Sequence, residues 1–193
     1  MSDPDGPVEV RIGSTPPGAV HVSAAERQLA ATRRHWTSLG LIAAAAFAAD
    51  QLTKLAVRST LSLDDSIRVI GPLSIRHVPN SGIAFGLFSR AVPVVIALTA
   101  VAIVWMLTVF ARSGARHAVL APAFGLLAGG SLANLFDRLR LGHVTDFIDI
   151  RHWPTFNLAD SFITIGVALL LVALLCSDRP PRPARLGPGA TRS

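Results

Sequence analysis

Charge is scarce in this chain: 16% of its 193 residues are charged against 51% hydrophobic, and the mean hydropathy is +0.50. That balance excludes an ordinary soluble domain of this length and implies a membrane-embedded one. Cysteine is nearly absent. Cys176, standing alone, can close no intrachain disulfide and supply no multi-cysteine metal site. Metal-ligand spacing is missing too, because His77, His143 and His152 are scattered and read as surface or interface positions. The outward segments hold no Gly-x-Ser-x-Gly or Ser/Lys signature. The expectation is a protein with no metal, no other cofactor and no serine nucleophile. No internal repeat is visible either, which weighs against a small transporter or proton-coupled carrier.

Long apolar runs are what the chain has instead. Crossing a bilayer takes roughly 20 mostly apolar residues, and four stretches suffice: Trp36 to Val57, Val92 to Ala111, Ala118 to Phe136 and Ala159 to Cys176. The first continues through Asp50 and Lys54 after a long polar lead, so it reads as a retained helix and not a cleaved signal peptide. Ile67–Ile70 and Leu73–Val78, separated by Gly71-Pro72, form a strand-turn-strand pattern. Ile83 to Phe88 is apolar but too short to span, which suits an interfacial helix. The expected fold is all-α and polytopic: four transmembrane helices with a small outward-facing β-sheet and a short interfacial helix. Residues 36–177 form the membrane domain, flanked by disordered tails over 1–35 and 178–193 that are rich in Pro, Gly and Arg.

The net charge of +6 comes from Arg far more than Lys, and much of it sits in those tails. Beside transmembrane helices, basic tails are explained by anionic lipid headgroups and cytoplasmic retention, so nucleic acid is not an expected partner. Arg33, Arg34, Arg112 and Arg116 put both termini in the cytoplasm and the longer connections outside.

Against this apolar background the polar residues stand out. Asp146 and Asp160 lie fourteen positions apart, the second where the last apolar run begins. Ionisable groups at a membrane boundary persist mainly where they face a polar cavity or each other. Asp160 also suits a helix N-terminus, a role compatible with chemistry. On the third run Ser131, Asn134 and Arg138 share one stripe with Asp137 adjoining, while Gly125, Gly129 and Gly130 permit close helix packing. Asp50 and Lys54, spaced i, i+4, can neutralise each other.

Five blocks in order then carry a resemblance: Asp50-Gln-Leu-Thr-Lys54, Asn80-Ser-Gly82-Ile-Ala-Phe85, Gly129-Gly-Ser-Leu-Ala-Asn134-Leu-Phe-Asp137-Arg138, Val144-Thr-Asp146-Phe147 and Phe156-Asn157-Leu-Ala159-Asp160-Ser161. Together, over roughly residues 40 to 175, the chain resembles signal peptidase II, a family of bacterial intramembrane aspartyl proteases. The resemblance implies cleavage of prolipoproteins on the N-terminal side of a diacylglyceryl-modified cysteine, by a protein expected to be monomeric among membrane lipids, with its active site toward the outer face. It implies a catalytic dyad of Asp146 and Asp160. Asp50, Lys54, Asn80, Gly82, Asn134, Asp137, Arg138, Asn157 and Ala159 are expected to bind substrate or shape the site. Ile83 stands where the family often has Ala, and Thr145 where Val is frequent. Two adjacent carboxylates would share a proton and activate a water, leaving open which of them holds the proton. Beside the rival transporter reading, a third possibility, a non-enzymatic scaffold for membrane assembly, predicts that both aspartates tolerate Asn.

Overall fold

The computed structural model describes residues 30–81, 92–113 and 117–177. Gly82, the expected interfacial helix over Ile83–Phe88 and most of both tails lie outside them. Four helices and three strands follow in the order α1 (Arg33–Thr60), β1 (Ser66–Ile70), β2 (Leu73–Asn80), α2 (Val92–Ser113), α3 (Leu120–Leu141), β3 (Val144–Ile150) and α4 (Leu158–Ser177). Each helix overlaps one of the four apolar runs. Helix α1 starts three residues before Trp36 and ends three after Val57, because its Arg- and Thr-bearing ends continue beyond the apolar stretch.

Three helical stretches are long and apolar enough to cross a membrane: α1, α2 and Leu158–Leu175 of α4. Helix α3 is not among them. It is the central helix, packed against α1, α2 and α4 alike, and its second half carries Asn134, Asp137, Arg138 and Arg140. A helix shielded by three neighbours can carry polar groups that a lipid-facing one cannot. Leucines and valines face outward from the others: Leu41, Leu52 and Leu55 on α1, Leu98 and Val101 on α2, Leu171 and Leu174 on α4.

Glycines set how closely the helices approach. A Cβ at Gly129 would sit 2.5 Å from the Ala43 carbonyl oxygen of α1, and one at Gly130 would sit 2.6 Å from the Ala159 carbonyl oxygen of α4. Two consecutive residues of α3 thus hold the backbones of both neighbours. Helix α4 returns the contact through Gly166, whose Cβ would lie 2.8 Å from the Ala123 carbonyl oxygen. Any side chain at Gly130 would push α4 away and carry Asp160 with it.

Buried groups segregate by polarity along the bundle. One end is an apolar core of Leu39, Met106, Phe110, Leu120, Phe124 and Ala173, in which Trp36 meets Phe110 edge-on at 5.0 Å. The other end, capped by the sheet, buries Asp50, Lys54, Asn134, Asp137, Thr145, Asp146 and Asn157.

The sheet is antiparallel in the order β1-β2-β3. Gly71 takes φ +50° in the β1–β2 turn, a conformation glycine adopts without strain. Strand β3 was not expected as a strand. Val144 to Phe147 are buried on both faces, so the alternation that reveals a half-exposed strand is missing.

A bulge in β2 decides what faces Asp146. Ile75 pairs with Ile148 but Val78 pairs with Asp146, so Arg76 and His77 stand opposite Phe147 alone. In a regular ladder Pro79 would share the face of Asp146; the extra residue puts Val78 and Asn80 there instead. His77, expected at a surface or interface, is buried at this bulge with its Nδ1 3.0 Å from the Leu61 carbonyl oxygen.

Candidate active site

Asp146 reaches the site from the middle of β3, where two amides hold it. Asn80 Nδ2 donates to its Oδ2 at 2.7 Å and Asn157 Nδ2 to its Oδ1 at 2.7 Å. Asn157 arrives there because the chain after β3 folds back on the strand. Phe147 and Ile148 donate their N–H groups to the Phe156 carbonyl, and Phe156 donates to Ile148. The next residue is therefore delivered beside Asp146.

Asn157 is also the N-cap of α4. Its Oδ1 accepts the Asp160 N–H at 3.0 Å, and Asp160 Oδ2 accepts the Asn157 N–H at 3.2 Å, a reciprocal capping box in which Asp160 is the third helical residue. The Asp160 carboxylate thus sits at the positive end of the helix dipole. Its other oxygen, Oδ1, accepts Asn134 Nδ2 at 2.8 Å. One asparagine is bonded to both carboxylates, and the two aspartates come together although they belong to a strand and a helix.

Behind them lies a buried ionic cluster. Lys54 Nζ is 2.7 Å from Asp50 Oδ2, 2.9 Å from Asp137 Oδ2 and 2.9 Å from Asn134 Oδ1. Asp50 Oδ1 accepts the Ala159 N–H at 2.8 Å, tying α1 to the first turn of α4. Asp137 also accepts from Gln51 Nε2 at 3.1 Å and from the Thr145 N–H at 3.4 Å. Asp137 pairs with Lys54 and not with its neighbour Arg138, because adjacent helical side chains diverge. Arg138 donates to the Asn134 carbonyl at 3.3 Å, and its Nε is buried without a partner among the described residues. Gln51 is the participant that residue-by-residue reading passed over, although it stands inside the first motif block.

Burial pushes the Asp146 carboxyl up to about 6; Asp160 adds to the rise, and the amides of Asn80 and Asn157 oppose it. The sign follows directly. Between the ordinary value of 3.8 and about 6 the folded protein holds a proton that the unfolded chain has released, so stability falls as pH rises through that window. The full cost above pH 6 is roughly 3 kcal/mol. The Asp146→Asn variant should therefore gain stability on wild type between pH 4.5 and pH 7, read as the difference of their thermal unfolding midpoints in one detergent. Equal pH dependence of the two proteins would contradict this.

An apolar groove of about 830 Å³ has Asp160 and Ser161 in one wall and the loop from Ile150 to Phe156 in the other, and extends along α4 to the half-exposed Ile165. Among the described residues, no group of three His, Cys or carboxylate side chains is arranged to hold a metal ion. The arrangement can do what two neighbouring carboxylates do, namely share a proton and pass it to and from a water.

Fold and site together define a membrane protein with two carboxylates bonded to one asparagine beside an apolar groove. The family model described as signal peptidase (SPase) II matches residues 42–176. The chain belongs to the signal peptidase II family. It is 41% identical over 138 residues to the lipoprotein signal peptidase of Pelotomaculum thermopropionicum, covering 71% of this chain and 91% of that one. To the lipoprotein signal peptidase of Geobacter sulfurreducens it is 40% identical over 142 residues, covering 69% and 89%. A solved bacterial membrane enzyme superposes with a TM-score of 0.71 at 32% identity, over 79% of this chain and 95% of the other.

Proposed function

We propose that this chain is an aspartyl endopeptidase of the bacterial cytoplasmic membrane. It removes signal peptides from prolipoproteins by cleaving on the N-terminal side of a diacylglyceryl-modified cysteine. The observation that carries the reading is the attachment of Asp146 and Asp160 to the same residue, Asn157, one through its side-chain amide and the other through its backbone N–H. A water between them attacks the scissile carbonyl. Asp160 takes its proton while Asp146, the more deeply buried carboxyl, donates to the developing oxyanion; as the resulting gem-diol collapses, the proton gained by Asp160 goes to the leaving amine and a gem-diol hydroxyl returns one to Asp146.

The other residues fall into supporting roles. Arg138, with a free Nε, donates to a substrate carbonyl, and Asn80 and Asn157 orient Asp146. Asp50, Lys54, Asp137 and Ala159 hold the helices in place, and Gly82 lies in the segment following Asn80. The groove beside Asp160 receives the lipid-bearing residue, whose acyl chains run along α4 into the bilayer. Residues 36–177 constitute the peptidase domain, with α3 as the fourth crossing, screened by its neighbours. Both termini are cytoplasmic and the sheet and site face outward, and the protein acts as a monomer.

The test is a product mass. Purified protein incubated with a lipidated precursor should yield a fragment beginning at the modified cysteine, and cleavage at any other bond would overturn the assignment.

A further inference from the structure

Lys54 is the chain's only lysine; the other seventeen basic residues are arginines. It is also completely buried, on a helix whose other face exposes Leu41, Leu52 and Leu55. An ammonium group has three hydrogens and no acceptor, and here each hydrogen has one acceptor: Asp50, Asp137 and the Asn134 side-chain oxygen. A guanidinium, planar and longer, cannot converge on three acceptors set around one point. The position therefore calls for the one basic side chain that the rest of the sequence avoids.

The consequence runs through Asn134. Its amide lies between a group that can only donate and a carboxylate, so only one of its two orientations is allowed: oxygen to Lys54, NH2 to Asp160 Oδ1. Flipping the amide would set NH2 against the ammonium group. With Asn134 pinned, Asp160 Oδ1 is held as an acceptor, and the Asn157 N–H holds Oδ2 in the same way. We infer that Lys54 is a positioning residue for catalysis: through the amide of Asn134 it fixes the orientation of the Asp160 carboxylate. The charged groups around Asp160 are then divided, with Arg138 on α3 and Asp146 on β3 facing it, and Lys54 on α1 acting through the asparagine.

This inference rests on the dyad reading, and the experiment separates the two. Lys54→Met, Asn134→Ala and the double variant are compared in the full-length protein in detergent with a lipidated peptide, each rate normalised to folded enzyme. Lys54→Met should lower kcat on the order of 10²-fold with KM within about two-fold, since the groove is untouched, and Lys54→Arg should not restore it. In the Asn134→Ala background the same substitution should cost little more. Multiplying effects would overturn the positioning role. If Lys54→Met fails to fold, Asp50→Asn/Lys54→Met/Asp137→Asn removes the charges together and is used in the same cycle. A readout independent of turnover exists because the lysine is unique: ¹⁵N-lysine labelling gives a single side-chain ammonium resonance. It should move in Asn134→Ala and hold still in Asn80→Ala; a signal indifferent to Asn134 would also overturn the inference. Cleavage by Asp160→Asn would instead refute the dyad reading itself.

Discussion

Asp146→Asn and Asp160→Asn should each abolish cleavage of a lipidated precursor, lowering kcat on the order of 10³-fold or more, while leaving the protein folded in the membrane. Asparagine keeps the shape of either side chain but cannot pass a proton to and from water. The two substitutions should differ in stability. Asp160→Asn replaces an acceptor facing two donors, Asn134 Nδ2 and the Asn157 N–H, so one of the two bonds is lost and the N-terminus of α4 weakens by about 1 kcal/mol. Asp146→Asn loses one of its two amide bonds, from Asn80 or Asn157, in the same way, but above pH 6 it also removes a carboxylate that burial disfavours, so its stability relative to wild type rises with pH. Rates per folded molecule, with folding checked by thermal unfolding, decide the matter; substantial turnover by either folded variant would sink the dyad.

A peptide carrying diacylglyceryl-cysteine should be cleaved at least 10²-fold faster than the same peptide without lipid. The groove beside Asp160 runs along the exposed flank of α4 to Ile165, so on the proposed reading a substrate already confined to the bilayer would approach it in two dimensions. Each buried methylene adds about 0.8 kcal/mol to that confinement. The chains also restrict how the scissile bond meets the aspartates, which removes part of the entropic barrier. Initial rates for matched peptides in the same micelles test this, and equal rates would refute lipid-dependent recognition while leaving the aspartyl chemistry standing.

The helices were legible because each is a long apolar run, and the first hairpin because β1 and β2 flank Gly71-Pro72. Strand β3 was not, since burial on both faces erases alternation at Asp146 itself. Asp146 and Asp160 could be singled out as costly carboxylates, but their common partner Asn157 is a matter of three dimensions. The reciprocal cap left a trace in the spacing of Asn157 and Asp160, three residues apart at the start of an apolar run. Nothing local could show that Lys54 serves Asn134 as well as Asp50, because that contact spans 80 residues. The bulge opposite Phe147 was equally hidden, as no glycine or proline marks Arg76 and His77.

The buried ionic cluster also bears on the order in which the protein is made. Helix α1 is made before α3 and α4 and is the least apolar of the three stretches long and apolar enough to cross a membrane, with a mean hydropathy of 1.3. At that moment Asp50 and Lys54 have only each other. Asn134 follows Lys54 by 80 residues, and Ala159 follows Asp50 by 109. Insertion of α1 is thus provisional until α3 and α4 arrive, and the same arrival brings in Asp160. On the proposed reading the nascent chain gains its pair of aspartates only with α4, so a chain stalled before that helix should be both incompletely compensated in its buried charge and inert toward its neighbours.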